Sequence, residues 1–165
     1  MNDDLGQLTR CYSIRFERTS KHPVARLWRA VTVPDEVSLW MGVPVRIDLR
    51  RGGEYFVQFQ EQGEESLDGV IVAVEPERLL RYTWGTSVIE WSLEPDGSGT
   101  RYVFTHHGVT PRTNEWEAGI AAGWHDYLLQ LEEMFEARHV TYEVAHARWQ
   151  ALSLRYRPLV EAVLA

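Results

Sequence analysis

The chain has 165 residues, a length that suits one domain able to bury most of its apolar surface on folding. Its formal net charge of −7 argues against binding to nucleic acid or to an anionic membrane. A single cysteine, Cys11, excludes an internal disulfide, and no Cys/His group has metal-ligand spacing, so we expect no metal and no cofactor. With no signal-peptide-like start and no membrane-length apolar run, we expect a cytoplasmic protein.

The first forty residues predict a strand followed by two short helices. The segment from Cys11 to Arg18 alternates apolar and polar residues, the period of a strand with one buried face. His22-Pro23 then opens a short helix that runs through Val33. Asp35 is expected to cap a second short helix that reaches Trp40 and Met41.

Six further short strands are predicted next, separated by Gly- and Pro-rich turn signals. They are Val45 to Leu49, Gly53 to Gln60, Leu67 to Val74, Leu79 to Trp84, Ser87 to Glu94 and Thr100 to His106. Because sequential strands usually neighbour one another, we expect a seven-stranded antiparallel meander, counting the strand near Cys11.

One long amphipathic helix is predicted from Arg112 to Ala137. Its apolar residues recur at intervals of three and four, and they are Trp116, Ile120, Trp124, Tyr127, Leu128, Leu131 and Phe135. A helix of this length can cross a whole curved sheet. The element order therefore predicts an α+β domain in which a twisted antiparallel sheet curls around its covering helix.

Six motifs in a fixed order resemble a known family. They are Arg50-Arg51-Gly52-Gly53-Glu54-Tyr55, Gly69-Val70-Ile71 with Val74-Glu75-Pro76, Arg81-Tyr82-Thr83-Trp84, Leu93-Glu94-Pro95 with Gly99-Thr100-Arg101, Thr105-His106-His107-Gly108, and Gly123-Trp124. This order resembles the AHSA1-like proteins, homologues of the C-terminal domain of the activator of Hsp90 ATPase, within the START/Bet v 1-like (SRPBCC) superfamily. The resemblance covers roughly Tyr12 to Ala137.

The resemblance implies the helix-grip fold, in which a curved antiparallel sheet wraps a long C-terminal helix around a deep apolar cavity. It also implies a range of functions, because superfamily members bind lipids, hormones or polyketides and some are cyclases, aromatases or dehydratases. We expect a helix-grip domain over residues 11–138 and a C-terminal helical extension over residues 139–165.

The extension carries its own apolar stripe after a plausible N-cap at Thr141. The stripe consists of Tyr142, Ala145, Trp149, Leu152, Tyr156, Leu159 and Val163. Pro158 is expected to kink or break the segment near Arg157. The stripe either packs on its own domain or pairs two chains as a homodimer. The run from Val70 to Val74 predicts burial of both strand faces, so we expect the extension to cover its outer face.

Alternate strand residues point to the same face of the sheet, and one of the two faces is unusually aromatic. It comprises Tyr55, Val57 and Phe59; Leu80, Tyr82 and Trp84; Ile89, Trp91 and Leu93; and Tyr102, Phe104 and His106. We expect the candidate ligand-binding residues to be Trp40, Tyr55, Val57, Phe59, Tyr82, Trp84, Trp91, Tyr102, Phe104, His106, Trp116, Ile120 and Trp124. The alternative is a fully packed core.

His106 is the clear titratable group on that face. It either orients a ligand or acts as an acid or base, or it is a buried histidine hydrogen-bonded to the nearby long helix. The leading hypothesis is non-catalytic binding of a small, largely apolar molecule. The alternatives are a protein-interaction module that modulates a chaperone ATPase, and an enzyme of cyclase or dehydratase type, which needs an acid/base pair that the sequence does not show.

Overall fold

This computed structural model describes residues 3–9, 13–59, 66–109 and 114–165, and for residues 114–117 the backbone alone. Within these residues eight strands form one antiparallel sheet in the order β1-β2-β8-β7-β6-β5-β4-β3. The strands are β1 Gln7–Thr9, β2 Ser13–Ser20, β3 Val45–Ile47, β4 Glu54–Val57, β5 Leu67–Glu75, β6 Leu79–Trp84, β7 Ser87–Asp96 and β8 Gly99–His107. The predicted meander is present from β3 to β8, and β2 pairs with β8.

The sheet has one strand more than the sequence predicts. The additional strand β1 pairs antiparallel with β2, and Leu8 lies opposite Ile14. A three-residue strand is too short to show a period of two, which explains why the alternation did not reveal it.

Four helices are present in the described part of the chain: α1 Val24–Thr32, α2 Pro34–Met41, α3 Asn114–Phe135 and α4 Tyr142–Leu164. The expected cap at Asp35 is wrong, because Pro34 occupies the first helical position and Asp35 lies in the first turn without a capping hydrogen bond. The predicted N-cap at Thr141 is confirmed, since its side chain accepts a hydrogen bond from the Val144 backbone.

The core lies between one face of the sheet and α3. Most strand residues of the predicted inward parity are buried there, and Leu128 and Leu131 of α3 are at most 2% exposed. This arrangement confirms the predicted α+β class and the helix-grip fold with its long covering helix. Apolar side chains from two layers exclude water from one shared interior, which is the main favourable contribution to folding.

Burial of both faces of β5 was a wrong expectation. Ile71 is fully buried, but Val70 is 46% exposed and Val72 is 38% exposed. The outward residues of β5 face solvent, and a shift in register between Ile71 and Ala73 interrupts its pairing with β6. A run of apolar residues therefore does not prove two covered faces.

Helix α4 packs against α3 and β1, so the expectation that the extension covers β5 is also wrong. Trp149 lies over Gly119, where a Cβ atom would be 3.2 Å from its ring, and its Nε1 donates to the Gly119 carbonyl at 2.9 Å. Leu152 and Tyr156 are buried, whereas Tyr142 is 63% exposed. Only part of the predicted stripe is therefore an intrachain contact surface.

Pro158 does not break α4, which is continuous from Tyr142 to Leu164. Proline cannot donate a backbone hydrogen bond to the carbonyl four residues earlier. That residue, Leu154, is 64% exposed, so water can satisfy the carbonyl. The expectation of a break near Arg157 is wrong for this reason.

Candidate functional site

Twelve of the thirteen candidate ligand-binding residues have described side chains, and all twelve lie on or beside the inner face of the grip. Nine are at most 4% exposed: Trp40, Tyr55, Val57, Tyr82, Trp91, Tyr102, Phe104, His106 and Trp124. Phe59, Trp84 and Ile120 are half-buried and pack against this core. The side chain of Trp116 lies outside the described residues.

One end of the interior is bordered by Phe59, Trp84 and Ile120. We call these three residues the aromatic rim, after the rings of Phe59 and Trp84. The Phe59 and Trp84 ring centroids are 5.9 Å apart, and the Trp84 centroid is 5.0 Å from that of Trp124. Trp124 in turn lies 4.4 Å from Phe104. Ile120 is one helical turn before Trp124 on the same face of α3. The half-buried rim is thus continuous with fully buried rings.

Ring contacts continue from the rim towards α2. The Trp124 and Tyr127 centroids are 5.7 Å apart, and those of Tyr127 and Trp40 are 6.0 Å apart. Trp40 then lies 6.2 Å from Trp91, edge to face. Such edge-to-face pairs add to the free energy gained by burying the rings. They also give the interior an aromatic lining from the rim to α2.

His106 lies at the centre of a hydrogen-bond chain that ties the rim to α3. Its Nδ1 accepts from Trp124 Nε1 at 3.0 Å, and its Nε2 lies 2.6 Å from Ser87 Oγ. Ser87 Oγ also donates to the Trp84 carbonyl at 2.7 Å. Because indole nitrogen only donates, Nδ1 is the acceptor and the proton of the neutral ring is on Nε2.

The tautomer of the ring determines what His106 can do. Nε2 donates to Ser87, so in this arrangement the imidazole is no base for that hydroxyl, and the pair differs from a nucleophile–base pair. Burial lowers the pKa of His106 to about 4, with a smaller contribution from His107. The histidine is therefore neutral at pH 7. Its hydrogen bond to the long helix is one of the two roles that the sequence predicted.

The interior also contains stacked tyrosines. The Tyr55 and Tyr82 rings are nearly parallel at 7° with centroids 3.7 Å apart. Burial raises the pKa of Tyr82 to about 12, and polar contacts with Tyr55 and Trp91 oppose that rise. Burial also raises the pKa of Tyr55, so both hydroxyls stay protonated at neutral pH.

Three buried polar atoms near these rings have no well-formed hydrogen bond to any described residue: Trp91 Nε1, the Tyr102 hydroxyl and Glu132 Oε1. The Tyr102 hydroxyl is close enough to Glu132 to oppose the rise in the pKa of Glu132 that burial causes. Trp91 likewise lies close enough to the Tyr82 hydroxyl to oppose the rise in the pKa of Tyr82 that burial causes. Sequence reasoning missed Glu132 because it is one of several acidic residues on α3.

A separate cleft of about 230 Å³ lies where the end of α3 approaches α2. Its lining residues are Leu39, Trp40, Gly42, Gln130, Met134, Ala137, Arg138, His139 and Val140. Of the candidate residues only Trp40 lines it, and its Nε1 is already bonded to the Ala30 carbonyl at 2.8 Å. No pattern in the sequence marks this cleft, because most of its wall comes from a helix end and a connection.

Sequence reasoning also missed a buried polar cluster on the opposite face of α3. His125 is fully buried, and its Nδ1 lies 2.9 Å from the Tyr156 hydroxyl, which accepts from the Gly6 backbone at 2.7 Å. Burial, assisted by Arg18, lowers the pKa of His125 to about 4. Only the docking of α4 reveals this cluster, so no local signal at His125 could have found it.

Within the described ranges, no set of three or more His, Cys, Asp or Glu side chains is arranged to hold a metal ion. In the same ranges, no helix combines the length and the apolar character needed to cross a membrane.

The sequence profile of the activator of Hsp90 ATPase homolog 1-like proteins matches residues 21–136. The chain belongs to this family. The match spans α1 to the end of α3, and β1, β2 and α4 lie outside it. No curated protein matches the chain.

Solved structures from bacteria share the fold. CalU16 from Micromonospora echinospora has a TM-score of 0.70 at 24% identity, over 90% of this chain and 88% of that one. EF2215 from Enterococcus faecalis, a conserved protein of unknown function, has a TM-score of 0.77 at 20% identity, over 98% and 92%. DynU16, from the dynemicin biosynthetic locus, has a TM-score of 0.65 at 24% identity, over 75% of this chain and 47% of that one. At these identities the likeness concerns the fold.

Proposed function

We propose that this protein binds a small, largely apolar molecule between the inner face of the sheet and α3, without catalysing a reaction on it. The observation that carries the proposal is the aromatic rim: Phe59 and Trp84 are left half-buried, while the rings of Trp124, Phe104 and Trp91 behind them are at most 4% exposed. Burying such rings under an apolar ligand is favourable, because it removes apolar area from water.

The chemistry of the interior supports binding more than catalysis. His106 is neutral and its two nitrogens are both engaged, so this histidine does not act as a base near neutral pH. General acid–base catalysis needs a group whose pKa lies near the working pH. An apolar molecule that is held by shape and ring contacts needs no such group.

The proposal is tested by titrating the protein with 2-methylnaphthalene and following tryptophan fluorescence. We expect saturable quenching, because the probe would contact Trp84. Ile120→Trp places a bulkier side chain at the rim and should weaken binding about tenfold, whereas Leu154→Trp, which adds the same residue at an exposed site on α4, should leave affinity unchanged. Unsaturable quenching, or equal affinity in both variants, contradicts the proposal.

A second candidate function is an interaction with a chaperone ATPase, because the family is described as activator of Hsp90 ATPase homolog 1-like. The specific observation in its favour is the uncovered apolar pair Val70 and Val72 on the outer face of β5. If this face docks on a chaperone, the protein should stimulate the ATPase of an Hsp90-type chaperone, and the double variant Val70→Lys, Val72→Lys should abolish the stimulation. An unchanged ATPase rate with the wild-type protein contradicts this function.

A further inference from the structure

The cleft at the end of α3 is separate from the interior of the grip and is built partly from the connection to α4. Ala137, Arg138, His139 and Val140 line it, and they follow residue 136, where the family match ends. Its volume of about 230 Å³ is below the usual range for drug-sized ligands, so it suits a molecule of one or two rings. The cleft is therefore not a feature that the family match implies.

Most of the side chains that line the cleft are apolar. Leu39 and Trp40 come from α2, Met134 from α3 and Val140 from the connection. Leu39 is 66% exposed, so a ring that covers it removes apolar area from water, which is favourable. The body of a ligand in this cleft is therefore apolar.

The polar side chains of the cleft are neutral or basic. They are Gln130, Arg138 and His139, and none of the described lining residues is acidic, although the chain has 24 acidic and 17 basic residues. Arg138 Nη2 lies 2.7 Å from Glu136 Oε2, and Lys21 contacts the other oxygen of the same carboxylate at 3.6 Å. Within the described residues Arg138 has no other ionic partner. Because a guanidinium presents five N–H donors, it can hold a second carboxylate.

The C-terminal ends of α2 and α3 border the same cleft, and each carries about half a negative charge. Both ends are capped by backbone hydrogen bonds. The Gly42 N–H donates to the Ser38 carbonyl at 2.9 Å, and the Arg138 N–H donates to the Glu133 carbonyl at 2.9 Å. The guanidinium is a full charge that an anion can contact directly, so it outweighs these partial charges.

We propose that this cleft is a second ligand site, which binds a small aromatic carboxylate with its ring against Leu39 and Met134 and its carboxylate on Arg138. Two parallel N–H bonds from a guanidinium match the two oxygens of a carboxylate, and a neutral amide lacks the charge that strengthens them. The site goes beyond the proposed function, since a molecule bound here needs neither the interior of the grip nor the aromatic rim.

The test compares 2-naphthoate with 2-naphthamide, which share a ring system and differ in charge. Binding is followed by NMR of isotopically labelled methionine methyl groups, because Met134 lines the cleft and the chain has three methionines. We expect a saturable shift of the Met134 signal, with 2-naphthoate bound about fivefold more tightly than 2-naphthamide. Sodium chloride at about 0.5 M should reduce this preference, because salt screens an exposed ion pair.

Two variants and their matched controls assign the contacts. Arg138→Gln should remove the preference for 2-naphthoate, whereas Arg157→Gln, at an exposed arginine on α4, should preserve it. Leu39→Ala should weaken both probes about threefold and keep the preference, whereas Leu154→Ala, at a leucine that is 64% exposed, should change neither affinity. All four residues are exposed, so the substitutions leave the core intact.

The outcomes keep this inference apart from the proposed function. Equal wild-type affinity for the two probes overturns the carboxylate site, and so does a preference that survives Arg138→Gln. A Met134 signal that neither probe shifts, or probe affinities that Leu39→Ala leaves unchanged, also overturns it. Ile120→Trp should not alter the affinity for 2-naphthoate, whereas it weakens 2-methylnaphthalene at the rim, so either site can fail without the other.

Discussion

His106 illustrates how one residue combines burial and hydrogen bonding at the end of the core. The sequence predicted that it faces inward, since it shares the parity of Tyr102 and Phe104. Which of its two expected roles it fills depends on Trp124 and Ser87, which are distant in sequence and come together only in the folded chain. Parity predicts the face of a strand residue, but it does not predict the partners of a polar group.

The lowered pKa of His106 predicts that the free energy of unfolding decreases as the pH is lowered. The unfolded chain has an ordinary histidine pKa near 6.5 and binds a proton more readily than the folded protein, whose pKa is about 4. The contribution is therefore fully present above pH 6.5 and is lost progressively as pH falls towards 4. Between pH 7 and pH 5 this single group should reduce the free energy of unfolding by about 2 kcal/mol.

Urea unfolding of His106→Asn at both pH values measures this contribution. The variant lacks the titrating group, so its loss of stability between pH 7 and pH 5 should be about 2 kcal/mol smaller than that of the wild type. His107→Asn is the matched control, because this neighbouring histidine is exposed. An identical pH dependence in wild type and His106→Asn would show that the imidazole is not desolvated.

Helix α4 shows what sequence periodicity can and cannot predict for one element. The spacing predicted a helix with one apolar stripe, and Leu152 and Tyr156 are indeed buried. Its docking surface was not predictable, because Gly119 and Gly123 of α3 open the space for Trp149 and their role appears only in the packed pair. The same limitation applies to β5, where a run of apolar residues suggested a cover that is not there.

A buried ion cluster holds α4 on α3. Arg148 donates to Asp126 and to Glu133, whose exposed fractions are 6% and 8%. We expect Arg148→Met to lower the free energy of unfolding by about 3 kcal/mol, because it leaves two buried carboxyl groups without their cation. Arg157→Met removes an exposed cation from the same helix and should change stability by less than about 0.5 kcal/mol.

Sedimentation of the same variants bears on the assembly of the protein. With α4 docked within its own chain, the wild type should be a monomer, and Arg148→Met should retain that mass or aggregate as apolar surface becomes exposed. A wild-type dimer that Arg148→Met dissociates, with unchanged monomer stability, would mean that α4 joins two chains.

At the scale of the whole molecule, the fold was more predictable than the site. Alternation, turn chemistry and one long amphipathic helix each indicate a local structure, and together they leave few alternatives to a curved sheet around α3. The aromatic lining follows from the same parity. The contacts of Trp91 with Tyr82 and of Glu132 with Tyr102 do not, because the partners of a buried polar group come from different elements and no local pattern encodes them.

The central claim is that an apolar molecule occupies the interior behind the aromatic rim. A crystal structure of the protein with 2-methylnaphthalene tests it most directly. We predict density for the naphthyl ring against Trp84 and Trp124. A complex in which side chains fill the whole interior and the probe lies on the outer surface would contradict the claim.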